Sequence, residues 1–506
     1  MKKGLIYSTF LVSIFTIIIK FLGLIKQSVL AAVCGATIET DIFFVATGTM
    51  TSLSGTVFSS LSISLLTLYT ERLVTKGRFK ANELINTVLR FFIPISFAFS
   101  VIFSLFALPI SRILAPSYSG IQLQKLTYDI QIMSVDFLLT CYYLIINVVL
   151  ENEKRFLPGK AKGFFQNLFL ILASLLFYSK YGIQCLLWAF LIASVVECVL
   201  VTWSSRKLFS FSLKRIESDA SVKQLLKLTI PLLLGNAMYE INQLVDNQIS
   251  TSLGKGSASV LNYGASIHDM VVGVIVTSIS VVLFSHCTTW IAEGKIEVVN
   301  DTLKKTMQYL TIILLPVMMM CLIAGDQIVE VFYGRGNFGI NEIKKTYAVV
   351  IGYSVGFVFQ ASRANLVKIF YAFKDSKTPM FNGMLSIACN VILSFSLSHV
   401  IGIGGVALAT SISMLMATVL LLKDIKKYLP NFSIKSSIPE LCKGIVAMLL
   451  AAVPVVFIKM SIDKNLFLSL LIEGIVMVTV YIVALTILRS SSIKGIVVLI
   501  KDKIVK

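Results

Sequence analysis

The chain has 506 residues, 56% of them hydrophobic and only 14% charged, with a mean hydropathy of +0.86 and a net charge of +19. A soluble domain of this length does not carry so little charge, and repeated apolar runs of about 20 residues point to an all-α polytopic membrane protein. The basic residues fall mostly in short loops between those runs, which is the pattern of cytoplasmic loops and argues against nucleic acid as a partner.

In chain order, the first run is Leu5 to Leu30, and it holds Lys20 and Lys26 with no acid between them. A lysine at membrane depth costs about 2.5 kcal/mol or more, a cost met by snorkelling, by a water-filled cavity or by a bound anion. Six residues are about 9 Å of helix rise and a rotation roughly 120° from alignment, so the two ammonium groups reach one broad face. We read them as lining a cavity that receives an anionic headgroup. The charged start and apolar run resemble a secretion signal, but no small-residue cleavage site follows, so a retained first span is expected.

Fourteen spans are expected, with cores at 5–30, 41–70, 86–111, 127–150, 164–179, 184–204, 226–251, 259–291, 306–331, 347–372, 379–399, 403–422, 440–459 and 465–488. Alternate loops carry Arg72, Lys76, Arg78 and Lys80; Lys154, Arg155, Lys160 and Lys162; Arg206, Lys207, Lys214, Arg215 and Lys223; and so on to a basic tail. All of them then lie on one side, which places both termini in the cytoplasm. The expected organisation is a six-helix lobe over 1–204, a cytoplasmic linker at 205–225, a second six-helix lobe over 226–425, a helix pair at 438–488 and a basic tail at 489–506. Six is even, so the lobes enter the membrane in the same orientation and form parallel repeats about the membrane normal.

Other polar residues stand inside spans. Asp246 in INQLVDNQISTS has Glu240, Asn242 and Gln243 nearby, and Asn390 and Thr410 stand on later spans. Such a set suits either a hard cation, which takes several oxygens, or hydrogen bonding between helices. Arg363 and Lys368 in the tenth span add positive charge or snorkel, and Asp136, Glu197 and Glu473 are lone acids. His268, Asp269 and His286 offer a proton-linked step or ordinary hydrogen bonding. The eight cysteines are scattered singly, without CxxC spacing, and read as small packing residues. No GxxxxGK[ST] loop, HExxH or Ser-His-Asp set is present, so no ATP-driven or hydrolytic chemistry is indicated. A cation-coupled drug exporter would want an acid-rich cavity, and a polysaccharide polymerase or glycosyltransferase would want a large outer loop. No outer loop exceeds about 15 residues, which argues against the enzyme; the drug exporter, separable by efflux assays, and a scaffold without transport remain as alternatives.

Several stretches together resemble a known family. KFLGLIKQSVLAAVCGATIETDIFFVA, VDNQISTSLGKGSASVLNYG, VFYGRGNFG and IFYAFKDSKTP, followed by GIGGVALATS, are similar to the MurJ/MviN family of the MOP superfamily of lipid-linked oligosaccharide flippases. The resemblance implies two six-helix lobes and a final helix pair that forms a groove for a polyprenyl tail. It implies a transporter rather than an enzyme, moving an undecaprenyl-diphosphate-linked saccharide across a bacterial cytoplasmic membrane by alternating access. The expected partners are that lipid-linked saccharide and membrane lipid, with the chain a monomer beside cell-envelope synthesis enzymes. Lys20 and Lys26 stand where the family has arginines, Gln27 where it often has Asp, and Asp41 on the family's acid; with Arg363 and Lys368 they form the expected substrate-binding set. The sodium site of some members falls on Asp246, Asn390, Ser394, the Val406 carbonyl and Thr410, with Ser394 replacing an acid; Na+ is the candidate coupling ion and no other cofactor is expected. Two departures stand out: 54–62 reads SGTVFSSLS where the family is charged, and Ser266 replaces an arginine. They imply a headgroup that diverges from lipid II, such as a capsule, teichoic or exopolysaccharide repeat unit.

Overall fold

In a bilayer every backbone N–H and C=O must be satisfied within the protein, and a run of apolar residues meets that demand locally only as a helix. The computed structural model describes residues 2–212, 219–461, 465–493 and 495, with side-chain detail from residue 14 onward except at 219–221, 234–239, 277–278, 281–282, 285–286, 292 and 436. Lys214 and Arg215 of the expected linker, Lys494, Lys501, Lys503 and Lys506 of the expected tail, and the side chain of His286 lie outside the described residues.

The helices are α1 (Lys2–Cys34), α2 (Ile38–Leu105), α3 (Ala107–Leu114), α4 (Gly120–Met133), α5 (Asp136–Asn152), α6 (Phe156–Leu176), α7 (Tyr178–Tyr181), α8 (Gln184–Ser205), α9 (Asp219–Ser252), α10 (Ser257–Val271), α11 (Thr277–Ala292), α12 (Ile296–Ile323), α13 (Gly325–Tyr333), α14 (Ile340–Ser354), α15 (Phe357–Ala372), α16 (Lys377–Ile401), α17 (Ile403–Asp424), α18 (Ile438–Ser461) and α19 (Leu466–Ile487). Among the described residues no strand occurs.

Every one of the fourteen expected cores falls on helix, but ten stretches among the described residues are long and apolar enough to cross a membrane. The difference has local causes. α2 is a single run of 68 residues that holds two expected spans. It would be about 100 Å long if straight. Instead it breaks at Gly77 (φ 79°, ψ 171°), a backbone conformation that glycine adopts without strain. The Tyr69 hydroxyl donates to Asn82 Oδ1 at 3.3 Å, so the two arms fold back as a hairpin. The expected tenth span is split into α14 and α15 around Val355 and Gly356, and the fourth into α4 and α5 at Ser134 and Val135.

The chain divides into two compact units, Met1–Ser259 and Val260–Lys506. In the first, α2 packs against α4, α5 and α9, and α6 lies between α1 and α8. The seventh expected span, α9, is therefore part of the first unit's packing. In the second, α17 packs against α14, α15 and α16, while α18 and α19 pair with each other and lie against α12.

Candidate functional site

α1 runs unbroken through Gly23. It seats on α6, where Asn167 Nδ2 donates to the Ile19 carbonyl at 3.3 Å and the Asn167 side chain covers Gly23. Its exposed apolar face is Ile14, Ile17, Ile18, Phe21 and Ile25. Lys20 is exposed at the edge of that face, about 60° around the helix from Ile17, and Lys26 is half-buried on the other side of the α6 contact. Among the described residues, neither ammonium has a hydrogen-bond or ion-pair partner. Gln27, beside Lys26, is buried. Two cations without carboxylate partners among the described residues thus flank one helix–helix contact.

Asp41 is fully buried near the start of α2. Its carboxylate accepts from the Gly256 and Ser259 amides and from the Ser259 hydroxyl, each at 2.6 Å. It caps the turn into α10 from a distant part of the chain, satisfying amides that would otherwise be orphaned at a helix start. Gly256 has φ 81°, and a Cβ there would lie 2.4 Å from the Ala36 carbonyl oxygen, so the turn takes glycine on two grounds. Asp41 is placed for anchoring, away from Lys20 and Lys26 in sequence and committed to three donors.

The uncharged stretch 54–62 has a defined purpose. Ser52 Oγ donates to Gln243 Oε1 at 2.8 Å, Thr56 Oγ1 donates to Glu240 Oε1, and Asn247 Nδ2 donates to Thr49 Oγ1 at 3.1 Å. Residues 49, 52 and 56 recur every three or four positions on α2, as do 247, 243 and 240 in reverse on α9, so the two helices are joined antiparallel by a polar seam of two turns. Ser54 faces the other way and donates to Asp136 Oδ2 at 2.7 Å; Thr140 (3.0 Å) and Ser194 (3.4 Å) also donate to that carboxylate. The hydroxyls that replace the family's charges are the donors to Asp136 and Glu240. The signal for this pairing was present as a hydroxyl stripe on α2 and an amide and acid stripe on α9, but one sequence does not say which stripe meets which.

Asp246, on α9 in the first unit, accepts from Asn242 Nδ2 at 3.1 Å. The other four expected cation ligands come together in the second unit between α16 and α17. Asn390 Nδ2 donates to Thr410 Oγ1 (3.2 Å) and Ser413 Oγ (3.3 Å), Ser394 Oγ donates to Asn390 Oδ1 (3.4 Å), and Thr410 Oγ1 donates to the Val406 carbonyl (3.2 Å). The amide nitrogen, not the oxygen, faces Thr410, and the oxygens of the set are engaged with one another. These four form a polar seam between α16 and α17. Among the described residues no group of three or more His, Cys, Asp or Glu gathers as a metal site.

On α15, Arg363 is half-buried with its guanidinium beside Gly383, and the Lys368 ammonium lies over the Phe284 ring at 5.4 Å. His268 is held by Gln360 Oε1 at 2.6 Å and by Asp269 at 3.0 Å, and stacks on Phe357. Glu473 is fully buried and accepts from Ser469 at 2.8 Å. Also within the second unit, a groove of about 250 Å³ is walled mainly by apolar side chains, including Met307, Ile312, Val358, Leu415 and Ile438, with Gln308, Thr311 and Ser437 among its polar residues and Lys304 and Glu440 as its charged ones.

The profile of the family described as "Lipid II flippase MurJ" matches residues 30–477. Among similar proteins, a probable lipid II flippase MurJ of Borreliella burgdorferi is 24% identical over 503 residues, covering 96% of each chain. One of Treponema pallidum is 23% identical over 464 residues, covering 87% of this chain and 85% of the relative. A solved lipid II flippase MurJ in an inward closed conformation superposes with a TM-score of 0.82 at 23% identity, covering 94% of this chain and 98% of the other. An inward-facing multidrug resistance MATE family transporter of the MOP superfamily superposes with a TM-score of 0.70 at 14% identity, covering 84% and 99%.

Proposed function

The chain belongs to the lipid II flippase MurJ family, and on that premise we propose that it moves an undecaprenyl-diphosphate-linked saccharide across the bacterial cytoplasmic membrane by alternating access. The observation that carries the reading of the site is α1: two lysines in an apolar span, without a carboxylate partner among the described residues, on either side of the contact with α6. A buried or half-buried cation of this kind is costly unless an anion joins it, and a diphosphate is such an anion. Lys20 and Lys26 attract the diphosphate as point charges, without the bidentate geometry that arginine brings. Arg363 and Lys368 supply further positive charge on α15. The apolar groove of the second unit suits a polyprenyl tail, whose transfer from lipid costs little there because both surroundings are hydrocarbon.

The hydroxyl seam at 49–56 supports a divergent headgroup. Where a charged α2 would contribute to holding an acidic peptide, these side chains are already engaged with α9 and α5. The substrate is therefore a diphosphate-linked saccharide, lipid II or a surface-polysaccharide precursor carrying less negative charge. The basic loops support cytoplasmic termini.

The test is complementation of a flippase-depleted strain together with a lipid-precursor accumulation assay. Lys26→Ala is expected to insert at wild-type level and to lose transport to background. Full activity of the Lys20→Ala/Lys26→Ala double variant overturns the assignment of these lysines.

A further inference from the structure

A second polar cluster lies inside the first unit and takes no part in the site above. Glu197 on α8 is 1% exposed, and neither of its carboxyl oxygens has a hydrogen-bond partner at bonding geometry. The groups facing it come from the two helices packed along that part of α8. From α6 comes Lys162, whose field reaches Glu197; from α5 come Tyr143 and Asp136; and Cys198 is its neighbour on α8. α4 and α7 meet α8 near Gln184, where Glu39, Lys125, Asp129 and Tyr181 line a separate cavity. That end is about 20 Å along the helix from Glu197.

The Lys162 ammonium makes no ion pair with Glu197 and is engaged by α5. Its Nζ donates to Thr140 Oγ1 at 3.1 Å and lies over the Tyr143 ring at 5.4 Å. Thr140 passes the contact on by donating to Asp136 at 3.0 Å. Asp136 thus accepts from three hydroxyls and is backed, through Thr140, by an ammonium, whereas the acid one turn beyond Ser194 has none of this. The two carboxyls sit in one cluster with opposite treatment. An ionised carboxylate at 1% exposure without a hydrogen bond is among the costliest arrangements a protein can hold, and protonation removes that cost. Lys162 is half-buried and lies about 9 Å from the start of α6, near the end of that helix that follows the basic loop.

We propose that Glu197 is a proton-binding carboxyl, neutral in this conformation and ionised when Lys162 turns from Thr140 toward it. The O–H bond of Glu197 breaks, its proton passes to water on the Lys162 side, and Lys162 remains an ammonium throughout and pairs with the new carboxylate. The ligand of the cluster is a proton; a metal cation is disfavoured there because Lys162 already supplies the positive charge. The movement of Lys162 releases Thr140 and so loosens the tie between α5 and α6. Proton binding at Glu197 is thereby linked to helix packing in the first unit. The connection of this event to flipping rests on the transport reading, but the site itself does not.

The test is infrared spectroscopy of the purified full chain in lipid, titrated from about pH 5 to about pH 9 without substrate. In an Asp129→Asn background, which removes the other buried carboxyl with an unpartnered oxygen, a protonated-carboxyl C=O band that disappears as pH rises is expected with Glu197 in place and in Asp136→Asn, and is expected to be missing in Glu197→Gln. Lys162→Met removes the charge that favours ionisation and is expected to move the midpoint upward by about one pH unit or more. Where Glu197→Gln fails to insert, Glu197→Asp keeps a carboxyl and is expected to keep a titrating band at a shifted midpoint. A band that persists in Glu197→Gln, or a wild type without a titrating band, overturns the proposal. Flipping assays across the same pH range then form a separate arm: a titrating band with pH-independent flipping keeps the proton site and removes its coupling, while loss of flipping activity altogether bears on the transport reading alone.

Discussion

Two polar seams of the molecule are built on different chemistry. In the first unit α2 and α9 are joined by Thr49–Asn247, Ser52–Gln243 and Thr56–Glu240, so one rung ends on a buried acid. In the second unit α16 and α17 are joined by Asn390, Ser394, Thr410 and Ser413, all neutral and mutually engaged. A neutral seam that closes on itself works as glue. A seam with a carboxylate is bound to its donors far more tightly and is costlier to open, because the acid left behind is a charge without a partner. The comparison assigns the second seam to stability, and it makes the first a place where packing and charge state are coupled.

The largest effect that can break this contrast is at Thr56 and Glu240. Hydrogen bonds between membrane helices average about 0.6 kcal/mol and reach about 1.7, and those to an ionised group are roughly twice as strong as neutral ones. A Thr56→Val/Glu240→Gln double-mutant cycle, read by unfolding in detergent, is expected to give a coupling near the upper value, about 1.5 kcal/mol. A coupling near zero would make the charged rung no different from the neutral ones.

The same cycle on Asn390→Ala and Thr410→Val is expected to give about 0.6 kcal/mol. Flipping by the wild type in vesicles is expected to be unchanged when sodium is replaced by choline, since the four oxygens are occupied with one another. A sodium requirement abolished by Asn390→Ala would turn the neutral seam into an ion site and reverse the comparison.

The smallest effect concerns the turn that leads into the neutral seam. Asp375 accepts from the Thr378 amide (3.0 Å), the Thr378 hydroxyl (2.7 Å) and the Tyr428 hydroxyl (3.0 Å) at the entry to α16. Burial pushes this carboxyl up, but those bonds and nearby Lys427 more than offset it and hold it below its ordinary range. Its folded-state value is depressed, so its stabilisation is present above the unfolded value of about 3.9 and is lost as pH falls through the folded one. Asp375→Ala is expected to cost about 0.5 kcal/mol at neutral pH, the low end of what loss of a cap costs. Thermal midpoints of wild type and variant are expected to converge at acid pH; a gap that persists there would contradict the assignment.

These residues also show how much was legible beforehand. The KDSKTP stretch was visible as a motif, and the structure explains it as a capping turn built on Asp375. Lys20 and Lys26 were visible because a lysine in an apolar run is conspicuous against its composition. Asp41 was visible only through resemblance, and its link to Gly256 and Ser259 was not, since the partners are more than 200 residues apart. The absence of charge at 54–62 read as a loss; in the fold, Ser54 and Thr56 are the donors for two buried acids.

The sequence by itself determined the helices, the multi-pass class and the positions of the cations inside spans. Those follow from composition within about 20 residues, because a bilayer obliges each segment to satisfy its own backbone. Only the tertiary structure decided which hydroxyl meets which carboxylate, that four proposed cation ligands close on one another, and that Glu197 lies bare while Asp136 is held by three donors. Such pairings depend on how helices distant in the chain are rotated against each other. A helix's local pattern sets which residues share a face but leaves open which neighbour that face will meet.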